Sequence, residues 1–486
     1  MKIENYFDLN ILLRAVNLLL CFLGIVGYSV KGGNQYVDIV AICLLCVFCA
    51  ENIIFLLYEK KQSNQFVIIL VGYATLFYAL RVVTLLGSPY SIVLGRNAGF
   101  SFQNLNHTLL FIMLSNAAIF LGLVCRGGLT QAAESPSHAG ILKIARPSGI
   151  LFVLFIAAAV NFYGALFAGS LGRLVGFAQV FALNLPLIIL FACNYFILNY
   201  RNIPKIYSGA FGVLLLMIIA LQTLGGSRSG VLGLFVALVL TCLAIKSRIQ
   251  FTRKYLFVPV MLILLSFVLF SYATRIRTQL GTDRLIIRAA QLNILAKAYD
   301  LPFRQMGYVS VNMFDRLGFL DYSADAIVNK DKYAKVVNFN YYFKSIVDNC
   351  LTPGFNVFGS PKVANCLIYI HSGLPDPTHA DVLKAYQSDM ITLYGDYYIL
   401  FGGYFSLIVL FILAFLFKSV FNLIQHPDPF IYYLSRAITL YVFYLWLNDF
   451  GVDWLFFDLI CIAITSAWLR ALYQISPKVE VSPRPL

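Results

Sequence analysis

The stretch QTLGGSRSGVLGLFVALVL, Gln222 to Leu240, sets one arginine and two serines between two apolar runs, 207–224 and 229–245. Each run has the length and character of a helix crossing roughly 30 Å of hydrocarbon. A connection of four residues then leaves Arg228 in a tight interhelical turn at a membrane face.

The rest of the chain repeats this pattern. Its 486 residues are 60% hydrophobic and 12% charged, whereas about a quarter of a soluble domain is charged. Twelve apolar windows are long enough to span, near 9–30, 37–58, 65–86, 105–125, 148–169, 178–199, 207–224, 229–245, 255–272, 397–417, 430–447 and 452–473. None alternates strictly between apolar and polar residues, which excludes an outer-membrane barrel and predicts an all-α polytopic bundle in an inner or plasma membrane. The first run is too long for a signal peptide, lacks a small-residue cleavage site and is expected to stay as a span.

Orientation follows from Lys and Arg near the spans. The short loops 59–64, 126–147, 200–206, 246–254 and 418–429 carry twelve, and the alternate loops 31–36, 87–104, 170–177, 225–228 and 448–451 carry four: Lys31, Arg96, Arg173 and Arg228. The first set is therefore expected in the cytoplasm, with both termini. The chain divides into spans 1–9 (residues 1–272), a large outer-face, mostly helical segment (273–396) and spans 10–12 with a cytoplasmic tail (397–486).

Arg228 and the large segment thus share the outer side. Gly225, Gly226 and Gly230 let backbone approach a bound group, Ser227 or Ser229 can cap the following helix, and the positive end of its dipole faces outward. A guanidinium there suits phosphate oxygens; the alternative is that Arg228 only snorkels to headgroups. Arg173 lies in the preceding outer loop, and Arg275, Arg277, Arg284 and Arg288 follow span 9, the last two sharing a helix face. Arg81, near the outer end of span 3, is a further candidate for the same cavity. Arg14 and Glu51 lie at similar depth in spans 1 and 2 and are expected to be structural, as neighbours able to pair.

Chemistry beyond binding needs a base or acid. No DxD, HExxH, GxSxG or P-loop pattern occurs, so neither nucleotide-driven chemistry nor a metal site nor nucleic acid is expected. His371 and His379 lie in IHSGLPDPTHADVLKAYQSD with Asp389 nearby, and any of the three could take a proton from a hydroxyl nucleophile. The alternative for each is a solvated polar residue. Cys350 and Cys366, the two cysteines of the outer segment, could close a disulfide or remain thiols.

The turn GGSRSG (225–230), the stretch DRLGFLDYSADAI (315–327) and YGDYYILFGGYFSLIVLFILAFLFKSV (394–420), in this order within a twelve-span layout, resemble a Wzy-type oligosaccharide repeat-unit (O-antigen) polymerase. The likeness covers roughly 220–420. It implies a GT-C-like, metal-independent membrane glycosyltransferase without cofactor, working at the periplasmic face of the bacterial inner membrane. Such an enzyme transfers a glycan from undecaprenyl pyrophosphate to the non-reducing end of a second lipid-linked repeat unit. It also implies a chain-length regulator and a flippase of the same pathway as partners, beside membrane lipids. The family's functional arginines carry over to Arg228 and Arg316, which sit in matching stretches; the other arginines rest on topology. An O-antigen ligase shares the architecture, and a transporter would be expected to show related halves, which are absent from the sequence.

Overall fold

The computed structural model describes residues 6–62, 64–87, 91, 94, 100–125, 142–163, 184–200, 202–224, 228–246, 250–252, 318–335, 337–351, 357–360, 363, 392–448, 451–475 and 478–481. The helices are α1 (Leu9–Lys31), α2 (Ile39–Gln62), α3 (Gln65–Gly87), α4 (Phe102–Val124), α5 (Pro147–Tyr163), α6 (Leu185–Asn199), α7 (Lys205–Leu224) and α8 (Arg228–Lys246). After the large segment's α9 (Phe319–Val328), α10 (Lys330–Ala334), α11 (Phe339–Ile346) and α12 (Thr392–Leu400) come α13 (Ser406–Leu423), α14 (Pro429–Leu447) and α15 (Val452–Ile475).

Among the described residues eight helices are long and apolar enough to cross a membrane: α1 to α4, α7 and α13 to α15. Shorter apolar helices coincide with three more of the twelve windows, and the window 255–272 lies outside the described residues. The surface suits hydrocarbon: Leu18, Leu19 and Phe22 of α1, Val213 and Leu216 of α7 and Val420 of α13 are all exposed.

The expectation of a purely helical chain needs one addition. Strand β1 (Tyr6–Asp8) pairs antiparallel with β3 (Gln250–Thr252), and β2 (Leu142–Ala145) with β4 (Lys478–Val481). These strands flank spans instead of forming them. Each ladder joins two segments that the charge rule assigns to one side, so the pairing and the Lys/Arg count agree. Asp8 then caps α1, accepting from Asn10 N at 3.1 Å.

Without water to expel, helices in a bilayer associate through close packing and interhelical hydrogen bonds. Helices α4 and α13 run side by side, with His107 Nε2 3.1 Å from Tyr404 Oη toward one end. Further along, Gly122 presses on the α13 backbone, where an added Cβ would collide with the Phe411 carbonyl oxygen and lie 2.9 Å from Ala414 Cβ. Polar ties join the first three spans: Asn17 Nδ2 donates to Thr75 Oγ1 at 2.9 Å, and Asn52 Nδ2 donates to Asn17 Oδ1 at 3.0 Å. Thr75 opens a π-turn, Thr75–Ala79, inside α3. The extra residue in that turn rotates the rest of the helix relative to its start. Arg14 and Glu51 do not pair as expected: Arg14 Nε and Glu51 Oε2 are buried without a hydrogen-bond partner.

Replacing Gly122 with alanine forces α4 and α13 apart. We expect a loss of about 3 kcal/mol, the upper part of the range for overpacked cores, read as a lowered thermal unfolding midpoint in detergent; an unchanged midpoint would show that the two helices do not touch there.

Candidate functional site

Helix α9, FLDYSADAIV, is buried on almost every side: Phe319, Leu320, Asp321, Ser323, Ala324, Asp325, Ala326 and Ile327 are all inside. A helix buried on every side belongs in a bundle interior, and the polar groups it carries there need partners. Its leading residue Phe319 meets the rings of Tyr73 and Phe77 at centroid distances of 5.9 and 4.4 Å. At 1.5 Å per residue those rings spring from α3 roughly 15–20 Å short of its end at Gly87. The segment expected wholly beyond the spans therefore sends residues 319–328 back between them.

Two carboxylates one helical turn apart are carried in with it. Asp321 is in the first turn, where the helix dipole favours an anion. Arg81 Nε donates to its Oδ1 at 3.0 Å and Arg81 Nη2 to its Oδ2 at 2.6 Å. The Ser91 hydroxyl adds a third bond, to Oδ2, at 2.5 Å. With side chains only 3% and 1% exposed, this two-point guanidinium–carboxylate fork is the geometry that offsets the desolvation of both charges. Asp325 accepts from Asn329 Nδ2 at 2.8 Å and from the Tyr333 hydroxyl at 2.5 Å.

Helix α12 lies against α9. Ser323 Oγ and Thr392 Oγ1 are 2.6 Å apart, and Thr392 holds φ at +65°. For a β-branched residue that conformation is strained by an amount of order 1–3 kcal/mol and survives only where surrounding contacts enforce it. The Tyr394 hydroxyl donates to Asn116 Oδ1 of α4, and Trp446 Nε1 of α14 donates to the Tyr397 hydroxyl at 3.0 Å.

A second group of acids closes the rim beside α15. The Tyr342 hydroxyl donates to Asp396 Oδ1, and Val452 N to Asp396 Oδ2 at 3.0 Å. Asp453 Oδ2 accepts from the Ser345 hydroxyl at 2.6 Å and from Val363 N at 3.0 Å. Asp348 gathers Phe358 N and Ser360 N at 2.9 and 2.7 Å. Burial pushes the Asp396 carboxyl up to about 7; the neighbouring Asp453 adds to the rise, while the Tyr342 and Val452 bonds oppose it. Cys350 is buried with its Sγ 3.5 Å from the Asp453 carbonyl oxygen, and Cys366 lies outside the described residues.

Of the residues singled out from sequence, Arg81 stands inside this site, engaged by Asp321. Arg228 opens α8. Arg173, Arg275, Arg277, Arg284, Arg288, Arg316, His371, His379 and Asp389 lie outside the described residues. Sequence reading missed Asp321, Asp325, Asp396 and the hydroxyls that serve them. The available signal was a pair of acids four apart inside an otherwise apolar helical run, FLDYSADAI. Among the described residues no group of three or more His, Cys, Asp or Glu is placed to hold a metal. Compared with protein-family models, with curated proteins and with solved structures, the chain finds no match.

Removing one member of the buried pair strands the other. Asp321→Ala should cost about 3–5 kcal/mol, whereas Arg81→Met combined with Asp321→Leu should be markedly milder; equal losses in single and double variants would dissolve the pairing. Because the Asp396 pKa is higher in the folded chain than its usual 3.8, folding favours the protonated acid. Its contribution is complete below about pH 4 and is lost as pH rises through about 7. Unfolding midpoints measured between those limits should fall with rising pH, and Asp396→Asn should flatten that component.

Proposed function

We propose that this chain is a Wzy-type polymerase of lipid-linked oligosaccharide repeat units: a twelve-span, GT-C-like glycosyltransferase of the bacterial inner membrane with cytoplasmic termini and a periplasmic site. One observation supports it above the rest. Two of the three stretches that carry the resemblance, separated by some seventy residues of sequence, lie on neighbouring helices: α9 holds most of one, α12 holds the start of the other, and Ser323 meets Thr392, two residues before that second stretch begins. Both are fastened to the early spans, by Arg81–Asp321 and by Tyr394–Asn116. In the third stretch, GGSRSG (225–230), Arg228 is the residue at which α8 begins.

In this reading Arg81 is a positioning residue. Its charge is matched by Asp321, which fixes α9, and the donor pyrophosphate is left to Arg228 and Arg316, with Arg173, Arg275, Arg277, Arg284 and Arg288 beside them. A base drawn from His379, Asp389 or His371 takes the proton from the acceptor's non-reducing-end hydroxyl. That oxygen bonds to the donor's anomeric carbon as the bond to the pyrophosphate oxygen breaks, and undecaprenyl pyrophosphate departs with the electron pair, stabilised by the arginines. The partners are the donor and acceptor glycolipids, membrane lipids, and a chain-length regulator and flippase of the same pathway.

Purified protein given a synthetic polyprenyl-pyrophosphate-linked repeat unit, with neither metal nor nucleotide, should yield a ladder at repeat-unit spacing and release polyprenyl pyrophosphate. Arg228→Lys should lose about tenfold or more, because losing one charge-assisted hydrogen bond removes roughly 1.5–3 kcal/mol. No ladder from folded, lipid-binding protein would overturn the polymerase; transfer to an added lipid A core instead would make the chain a ligase.

A further inference from the structure

Far along the last three helices from the Asp396–Asp453 rim stand three cations. Lys418 is five residues from the end of α13, Arg436 seven past the start of α14 and Arg470 five from the end of α15. At 1.5 Å per residue Lys418 and Arg436 lie within roughly 10 Å of the turn that joins α13 to α14, and Arg470 within roughly 10 Å of the end of α15 that leads to β4. The Arg436 guanidinium carbon sits 4.2 Å from the centroid of the Phe421 ring, and Lys418 Nζ lies 5.8 Å from the same centroid. Arg436 Nη1 donates to the Tyr432 hydroxyl at 2.5 Å. Arg470 Nη2 donates to the hydroxyl of Ser435, the residue before Arg436, at 3.0 Å.

No carboxylate answers these charges among the described residues. Asp428, the acid nearest in sequence to Arg436, caps α14, accepting from Phe430 N at 2.8 Å. Arg436 Nε and Arg470 Nε are both buried without a hydrogen-bond partner. Snorkelling alone would carry these heads outward to water. Instead Arg436 is folded onto Phe421, which is 4% exposed, and two N–H donors are left to be satisfied from a third party. An anion with several acceptor oxygens does so, and a phosphate matches a guanidinium edge two bonds at a time. The face of α13 turned away from Lys418 and Phe421 is apolar, with Leu416, Val420 and Leu423 about half accessible, so this helix borders lipid, the source of phosphate nearest the three cations.

We propose that Lys418, Arg436 and Arg470 form a binding site for the phosphodiester headgroup of an anionic phospholipid, in the leaflet beside β4. The site is separate from the arginines assigned to the donor pyrophosphate and does not depend on the polymerase reading. Basic pockets between spans on the cytoplasmic side are where anionic headgroups bind.

The test uses the full chain in nanodiscs of mixed phosphatidylglycerol and phosphatidylcholine, with native mass spectrometry counting the lipids it retains. Wild type should prefer phosphatidylglycerol, and Arg436→Gln with Arg470→Gln should reduce that preference by about tenfold, the equivalent of about 1.4 kcal/mol. Lys418→Gln, which leaves both guanidinium groups in place, should weaken it less and serves if the double variant does not fold. Equal retention of the two lipids by wild type, or unchanged preference in the variants, overturns the proposal. So does displacement of the bound lipid by inorganic phosphate at equal concentration, which would assign the site to a free anion.

Discussion

A guanidinium and a carboxylate separated by 240 positions in the chain and hidden together inside a membrane bundle hold the described structure in its arrangement. Arg81 alone at that depth would be an uncompensated charge, and Asp321 alone would be another. Together they form a two-point contact that exists at one relative placement of α3 and α9. Because the fork is directional, it sets rotation as well as proximity. The polar ties that follow, Ser323 to Thr392 and Tyr394 to Asn116, lie within reach once α9 is seated.

Around that pair the chain uses one device repeatedly. Buried aspartates collect backbone N–H groups and hydroxyls from segments far apart in sequence, so each acts as a knot in irregular backbone. Asp348 gathers Phe358 and Ser360, Asp453 gathers Ser345 and Val363, and Asp396 gathers Tyr342 and Val452. Irregular backbone near a bilayer needs internal partners for every N–H, and a carboxylate with two oxygens serves several at once. At Asp396 lost hydration, helped by the neighbouring Asp453, raises the carboxyl to about 7. Thr392 stands between α9 and α12 in a strained conformation, held where these ties converge.

The two ends of the bundle are chemically unlike. One gathers carboxylates, tyrosines and the Arg81–Asp321 pair. The other gathers Lys418, Arg436 and Arg470 among aromatic rings, beside the small ladders that tie the terminal segments to internal loops.

Hydropathy and charge determined a good deal unaided. A run such as Leu9–Lys31 must be a helix in lipid because its backbone has no other source of hydrogen bonds, so eight of the twelve windows were legible as helices long and apolar enough to span. The ladders pair the segments that Lys and Arg counting put on one side. Those signals are local: each residue contributes through its own transfer between water and hydrocarbon. Tertiary structure alone decided that Arg81 faces a carboxylate instead of an open cavity, that Arg14 and Glu51 stay apart, and that 319–328 returns among the spans. Asp321 was invisible as Arg81's partner because pairing energy depends on distance in space. Nothing in a stretch of ten residues records which distant helix will come within 3 Å of it.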